Sequence, residues 1–110
     1  MTEPNESDAK LHPLANIDRI VHEPARLMVL SYLDAVQSAD FVFLMRLTRL
    51  TWGNLSSHLA KLEEAGYVAT EKEFVNKKPH TMIHLTAEGR AALQSYREIM
   101  QRVLNYGRPG

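Results

Sequence analysis

Small hydrogen-bonding side chains occupy one face of a short amphipathic segment, residues 51–65, which reads TWGNLSSHLAKLEEA. On a helical wheel Leu55, Leu59 and Leu62 fall within about 60° of one another and form the buried stripe of a helix. The opposite arc carries Gly53, Asn54, Ser57 and Lys61. A face this slim can enter a duplex major groove about 12 Å wide, where an amide pairs with an adenine edge and hydroxyls reach bases or phosphates. These residue types therefore predict hydrogen bonding to base edges.

Basic residues lie on both sides of this segment. Arg46 and Arg49 precede it, and Lys77 and Lys78 follow it in the polar stretch VNKKP, residues 75–79. Cationic side chains bind phosphate oxygens without reading sequence. The net charge of the chain is zero, with six basic and four acidic residues between 41 and 85. A nucleic-acid interpretation therefore rests on where the side chains are placed, because composition alone does not indicate it.

The helices that would position the polar face follow from periodicity and capping. Apolar residues recur at helical spacing over 14–23 and again over 24–36. Asp40 is suited to cap a short helix, and Thr51 is suited to cap the segment 51–65. A connection of about three residues joins the two capped helices, which is the geometry of a helix-turn-helix.

Beyond Gly66 the apolar period changes from that of a helix to that of a strand. Alternation over residues 67–74 and 80–85 predicts a β-hairpin with VNKKP at its tip. Thr86 is suited to cap a long amphipathic helix that ends near Asn105. The order of elements predicts an α+β fold, mostly α: a winged helix-turn-helix with an N-terminal helix and a long C-terminal helix.

One domain is expected over residues 13–106, with residues 1–12 as a flexible N-terminal tail. The helices at the two ends of this domain carry apolar stripes that a chain of 110 residues would struggle to cover alone. We therefore expect a homodimer in which these helices pair. The predicted interface comprises Leu14, Ile17, Ile20, Tyr96, Ile99, Met100, Val103 and Leu104.

The stretch LTWGNLSSHLAKLEEAGYVATEKEFVNKKPHTMIHLTAEGRAAL resembles the winged-helix DNA-binding domain of small prokaryotic transcriptional regulators close to the MarR and ArsR groups. The resemblance extends over about residues 15–95 and is most specific in GNLSSHLAKLEEAGYV and in the EKEF and KKP that follow. It implies a dimeric repressor or activator, with the second helix of the motif in the major groove and the wing along the minor groove. Arg49 and Trp52 depart from this pattern, since a small or polar residue is expected at each position.

The predicted function is sequence-specific regulation of transcription by a homodimer bound to a palindromic operator in double-stranded DNA. The helix 51–65 would lie in the major groove, and the wing at 75–79 would contact the neighbouring backbone. Asn54 and Ser57 are the main candidates for reading bases. The predicted DNA contacts are Arg46, Arg49, Thr51, Trp52, Asn54, Ser56, Ser57, His58, Lys61, Lys77 and Lys78.

Several other classes of function receive no support from the pattern. The chain contains no cysteine, which excludes disulfides and thiolate zinc sites. His80 and His84 share a strand face but lie roughly 13 Å apart along it, too far to share an ion, so we expect no metal and no other cofactor. The chain has no nucleophile–base signature and no phosphate-binding glycine loop, so we expect no enzyme activity. Its apolar runs are too short to span a membrane, and we expect a cytoplasmic protein.

Two alternatives agree with the same pattern. A winged helix can serve protein association alone, with the helix 51–65 or the hairpin docked on another polypeptide, and the zero net charge then needs no explanation. A DNA-binding protein can also be gated by a small-molecule effector held between the dimer helices and the DNA-binding lobe, although no residue singles out that ligand.

Overall fold

Helices pack on one face of a three-stranded antiparallel sheet in the computed structural model, which describes residues 12–106. The elements are a 3-10 helix (Pro13–Asn16), α1 (Pro24–Val36), β1 (Ser38–Asp40), α2 (Phe41–Thr48), α3 (Trp52–Glu64), β2 (Val68–Val75), β3 (Lys78–Leu85) and α4 (Ala87–Asn105). This architecture confirms the predicted winged helix-turn-helix. All of the predicted N-terminal tail except His12 lies outside the described residues.

The helix-turn-helix begins and ends at the residues that the sequence indicated. Asp40 accepts the backbone N–H of Phe43 at 3.1 Å, and Thr51 accepts that of Asn54 at 3.1 Å. Each contact satisfies one of the N–H groups that a helix start leaves without a partner. Gly66 follows α3 with a φ of 82°, in the left-handed region that favours glycine after a helix.

The N-terminal helix is shorter than the predicted range 14–23. Only Pro13–Asn16 are helical, and they form a single 3-10 turn. The Asp18 carboxylate accepts the backbone N–H groups of Ile20 at 2.8 Å and Val21 at 3.3 Å, which offers these groups an alternative to helical bonding. Val21 is nevertheless fully buried. The apolar residues whose spacing predicted a helix therefore pack on the core from a turn.

The sheet includes a strand that the sequence did not predict. β1 pairs antiparallel with β3, with Ala39 opposite Ile83, and β2 pairs with the other edge of β3, with Thr70 opposite Ile83. The strand order is β1-β3-β2. Three residues are too few for alternation to be recognised, and for that reason β1 was missed.

The hairpin is longer and its turn tighter than expected. β2 and β3 stay paired as far as Val75 and Lys78, so Asn76 and Lys77 alone form the turn. Both turn residues have positive φ, 52° and 66°. This is the two-residue primed turn that matches the twist of the strands it connects. The wing therefore has a narrow tip at which Lys77 and Lys78 are adjacent.

The core lies between the helices and the sheet. A buried leucine or isoleucine contributes about 1.5–3 kcal/mol relative to an exposed one, so this cluster supplies most of the favourable free energy of folding. Its largest fully buried side chains are Leu30, Leu33, Leu44, Leu55, Leu62, Ile83, Val21 and Val29.

The start of α4 is fastened to the chain between α3 and β2. Thr86 Oγ1 accepts the N–H of Gly89 at 2.9 Å and donates to the Gly66 carbonyl oxygen at 2.6 Å. The Thr86 N–H donates to the Tyr67 carbonyl oxygen at 3.1 Å. Gly89 is buried at this crossing, where the backbones of α4 and of residue 67 meet with no room for a side chain.

Replacing Gly89 by alanine should destabilise the chain. The added methyl group would lie 2.1 Å from the Tyr67 carbonyl oxygen and 2.9 Å from Leu85 Cδ1, and overpacking of this kind costs about 1–3 kcal/mol. The urea midpoint of unfolding, followed by circular dichroism, should fall.

Gly53→Ala is the matched control for Gly89→Ala. Its methyl group would meet no atom within 4 Å, and alanine is favoured over glycine inside a helix by about 0.5–1 kcal/mol. Its unfolding midpoint should stay level or rise slightly. Equal midpoints for Gly89→Ala and the wild type would contradict the close approach described above.

Candidate nucleic-acid interface

The start of α3 presents an open polar ridge, which we define as Gly53, Asn54, Ser57 and Lys61. All four residues are exposed, and they lie opposite the buried leucines of the same helix. The first turn of α3 contains no acidic residue. A slim, uncharged helix start of this kind can approach base edges, and the N–H groups at the helix N-terminus favour a phosphate oxygen.

A buried arginine braces α3 from the side of α1. Arg26 is only 8% exposed, and its Nε donates to the Ile20 carbonyl oxygen at 2.6 Å. Its Nη2 donates to the Arg19 carbonyl oxygen at 3.4 Å, and its Nη1 lies 3.2 Å from His58 Nδ1 on α3. One side chain thus connects the turn before α1 to the helix that carries the ridge.

The same contact defines the tautomer of His58. A guanidinium only donates, so His58 Nδ1 must accept and the ring proton resides on Nε2. The half-buried ring therefore keeps one N–H available as a donor. Glu23 Oε2 lies 3.7 Å from His58 Nδ1. Burial by itself would raise the pKa of Glu23, but backbone N–H bonds from Arg26 and Ala25, with the charge of Arg26, outweigh burial and lower that pKa.

Trp52 packs on the first helix of the motif. Its ring centroid lies 4.4 Å from that of Phe41, the first residue of α2, and the two rings are tilted by 51°. Edge contacts of this kind favour a fixed geometry. Trp52 remains 61% exposed, so one face of the indole stays open beside the ridge.

A cleft of about 330 Å³ separates α3 from the sheet. The Glu63 carboxylate accepts the hydroxyl of Thr70 and so links α3 to β2 across the cleft. A volume near 300 Å³ with an aromatic wall and a few polar groups is sufficient for a small molecule. The lining residues are Phe41, Trp52, Ser56, Leu59, Ala60, Glu63, Thr70 and Thr81.

The two faces of the hairpin have different surroundings. The face that we call inner is turned toward α3, because it includes the buried Val68 and Ile83 and also Thr70, which bonds to α3. The other face we call outer. By register the inner face comprises Val68, Thr70, Lys72 and Phe74 with Pro79, Thr81, Ile83 and Leu85, and the outer face comprises Ala69, Glu71, Glu73 and Val75 with Lys78, His80, Met82 and His84.

The outer face carries side chains that could hold a metal ion. His84 Nε2 lies 3.2 Å from Glu73 Oε1 and 3.8 Å from Glu71 Oε2, and one ligand atom from each residue lies within 4.8 Å of the others. His80 does not join them, because its Nδ1 is 2.8 Å from Asp40 Oδ1. The two histidines thus contact different carboxylates, in keeping with the spacing inferred from the strand.

The other predicted basic contacts lie on the surface. Arg46 and Arg49 are exposed at the end of α2, and Lys77 and Lys78 are exposed at the wing tip. Arg49 has a φ of 59° and ends α2 in the left-handed conformation. The family resemblance predicts a glycine or a small polar residue at this position, and an arginine in the left-handed conformation carries a steric cost that glycine would avoid.

The residues predicted to form a dimer interface divide into three groups by exposure. Tyr96 belongs to the chain's own core, where it is 7% exposed and its hydroxyl lies 2.9 Å from His22 Nδ1. Leu14 and Leu104 are exposed, at 38% and 70%. The remaining five are half-buried: Ile17, Ile20, Ile99, Met100 and Val103. The 3-10 helix packs on α4 of the same chain and covers part of its apolar stripe.

Two residues that shape the site escaped sequence reasoning. Arg26 and Glu23 hold His58, although 32 residues separate Arg26 from that histidine. The available signal was a single arginine in the apolar first half of the helix, PARLMVL. A charged residue in such a position has to find buried partners.

The fold and the open face of α3 define a winged helix-turn-helix with an unobstructed second helix. A family model described as a winged helix DNA-binding domain matches residues 25–104. An uncharacterized protein from Methanocaldococcus jannaschii is 37% identical over 84 residues, which cover 76% of this chain and 91% of the relative.

Solved structures show the same similarity. A transcriptional regulator homologue from Pyrococcus horikoshii is 26% identical with a TM-score of 0.78, and the match covers 89% of this chain and 95% of that one. A MarR-family transcriptional regulator from Silicibacter pomeroyi is 18% identical with a TM-score of 0.61, over 94% and 70% of the respective chains, and shares the fold.

The chain belongs to the winged helix DNA-binding domain family. Together with the regulators among its structural neighbours, this membership supports a DNA-binding transcriptional regulator and confirms the resemblance noted from the sequence. Within residues 12–106, none of the helices has the length and apolar character needed to cross a membrane.

Asp40 joins the helix-turn-helix to the wing. One of its carboxylate oxygens caps α2 and the other contacts His80 on β3. Burial opposes ionisation, but the hydrogen bond with His80 and the N–H of Phe43 outweigh it and hold the pKa of Asp40 below its ordinary value of 3.8. The ionised form is therefore favoured in the folded state.

The stabilisation that Asp40 provides should disappear in acid. A lowered folded pKa stabilises the native state above the unfolded value of 3.8, and that stabilisation is lost as the pH falls through the folded pKa. Asp40→Asn should lower the free energy of unfolding at pH 6, and the difference from wild type should shrink toward pH 2, as urea titrations would measure. Glu64→Gln, which removes an exposed carboxylate of α3, is the control. A difference that is independent of pH would contradict this account.

Proposed function

We propose that this chain is a homodimeric transcriptional regulator that binds a palindromic operator through residues 51–65 and the wing at 75–79. The observation that carries the proposal is the polar ridge of α3, which is exposed and is followed along the chain by a hairpin with two exposed lysines at its tip. A helix start of this shape fits the major groove, while the wing reaches the adjacent backbone.

Base reading falls to the short side chains of the ridge. Asn54 pairs with an adenine edge through its amide, and Ser57, with Ser56 beside it, donates to bases or phosphates. His58 offers its Nε2–H to a phosphate, and Trp52 its open face to a sugar. The helix start at Thr51 adds a phosphate site. The cationic phosphate contacts in this arrangement are Arg46, Arg49, Lys61, Lys77 and Lys78.

A dimer completes the interface, since one recognition helix makes few base contacts. The buried residues of α4 end at Tyr96, although the helix continues to Asn105. Leu104 is 70% exposed on this extension. Pairing of these ends with the N-terminal segment of a second copy would cover them. Such a dimer sets two recognition helices about 34 Å apart, one turn of DNA.

The lining of the cleft beside α3 does not single out one small-molecule effector. The proposed partners are therefore double-stranded DNA and a second copy of the chain. A ligand in that cleft would touch Trp52 and Ser56, so the site of effector action would be next to the DNA-contacting face.

Asn54→Ala and Lys77→Ala should weaken operator binding in different ways. Loss of the amide should relax preference at one base position at a cost of about 1–3 kcal/mol. Loss of the lysine should weaken binding to all sequences. It should also reduce the slope of log K against log salt by about 0.9, because a complex with one phosphate contact fewer releases fewer counterions when it forms. Fluorescence anisotropy at several salt concentrations measures both effects. Unchanged affinity in both variants would show that these assignments are wrong.

Selection of bound sites from random duplexes should return an inverted repeat. Two-fold symmetry makes the repeat inverted. Its half-sites should lie about 10 base pairs apart, centre to centre, because successive major grooves on one side of the duplex are one helical turn apart. Sequencing of the recovered pool measures the spacing, and sedimentation of the free chain measures its mass. A single half-site without a repeat would contradict the dimer, and recovery of no sequence above background would favour the protein-association alternative.

A further inference from the structure

The wing tip exposes an aromatic side chain that the functional assignments above leave unused. Phe74 is 78% exposed, more than any other large apolar side chain among residues 12–106. It lies opposite Pro79 on the inner face, and this pair is the next one on that face after Lys72 and Thr81. A single exposed apolar residue is ordinary, so its surroundings must decide whether it has a role.

The charges of the distal hairpin differ between its faces. Lys72 and Phe74 lie on the inner face, whereas the acids Glu71 and Glu73 lie on the outer face, where His84 contacts both. Lys77 is exposed in the turn, and Lys78 is exposed beside it on the outer face. A polyanion approaching the inner face meets the ammonium groups of Lys72 and Lys77 near an aromatic ring and no carboxylate of the hairpin, while one approaching the outer face meets Lys78 together with two carboxylates.

The inner face is also turned toward α3. Thr70 lies on this face and its hydroxyl donates to Glu63 of α3. Four residues separate Thr70 from Phe74, which is roughly 13 Å along a strand. A duplex bound to α3 would therefore also lie against the inner face of the hairpin. Phe74 is farther from α3 than Thr70 is, so it would lie near the groove next to the one that α3 occupies.

We propose that Phe74 is an apolar DNA contact that enters the minor groove beside each half-site, while Lys72 and Lys77 contact its flanking phosphates. The inference rests on the proposed function and adds a specificity determinant to it. A minor groove about 6 Å wide admits side chains at a hairpin tip but not a helix. Apolar side chains inserted there unstack a base step, so they favour flexible pyrimidine–purine steps at positions where no hydrogen bond is read.

Phe74→Ala should weaken binding to the selected operator about tenfold, which is within the range for loss of one aromatic contact with a base or sugar. The slope of log K against log salt should stay unchanged, because an apolar contact displaces no counterions. The preference for a TA step over a GC step at the flank of the half-site should also diminish. Anisotropy titrations on operators that differ only at this step measure all three quantities.

Matched variants separate the inner face from general effects at the tip. Phe74→Leu keeps an apolar side chain and should retain most of the affinity. Met82→Ala removes apolar surface from the outer face, outside the segments proposed to bind DNA, and should change affinity less than twofold. Thermal unfolding of Phe74→Ala should match wild type, because so exposed a ring contributes little to the core.

The outcomes are distinguishable. Wild-type affinity and step preference in Phe74→Ala, with a functional operator in hand, would overturn this inference and leave the proposed function intact. Equal losses in Phe74→Ala and Met82→Ala, or a reduced salt slope in Phe74→Ala, would show that the change acts by misplacing the lysines and would also overturn it. Failure of the wild-type chain to bind any duplex would instead remove the proposed function.

Discussion

The burial of three leucines sets the rotation of α3 about its own axis, and the candidate interface depends on that rotation. Leu55 and Leu62 are fully buried and Leu59 is 5% exposed. Each contributes about 1.5–3 kcal/mol when buried, so turning the helix by one residue, about 100°, would cost several kcal/mol. The opposite arc, with Asn54 and Ser57, is consequently held in solvent by the core. The exposed side chains of Asn54 and Ser57 are thus positioned by the buried leucines on the other side of the helix.

Contacts on both flanks of α3 restrict the helix further. On one flank Arg26 bonds to two backbone carbonyls and to His58. On the other, Trp52 packs on Phe41, and a carboxylate of α3 accepts the hydroxyl of a β2 threonine. Geometry held in this way before binding reduces the ordering cost that association would otherwise carry. A recognition surface of short side chains gains most from such bracing, since short side chains cannot adjust their reach.

The sequence was sufficient wherever a local rule decides the structure. Asp40 and Thr51 are caps because their side chains bond to N–H groups three residues ahead, and the leucine stripe of α3 is visible in a single window of residues. Long-range pairing was not visible. The strand Ser38–Asp40 exists only because β3 offers it an edge, and Arg26 finds His58 only once the chain has folded. The ridge could therefore be predicted residue by residue, while the contacts that brace it could not.

The zero net charge of the chain is compatible with DNA binding because charges act locally. At physiological ionic strength the screening length is about 8 Å, so carboxylates on the outer face of the hairpin are weakly felt at its inner face. Under the proposed function, the cations that face the duplex supply the sequence-independent part of the affinity, although the net charge of the chain is zero. Preference for an operator must then come from base edges and groove shape, which are the features that a slim helix face and an aromatic wing tip are suited to recognise.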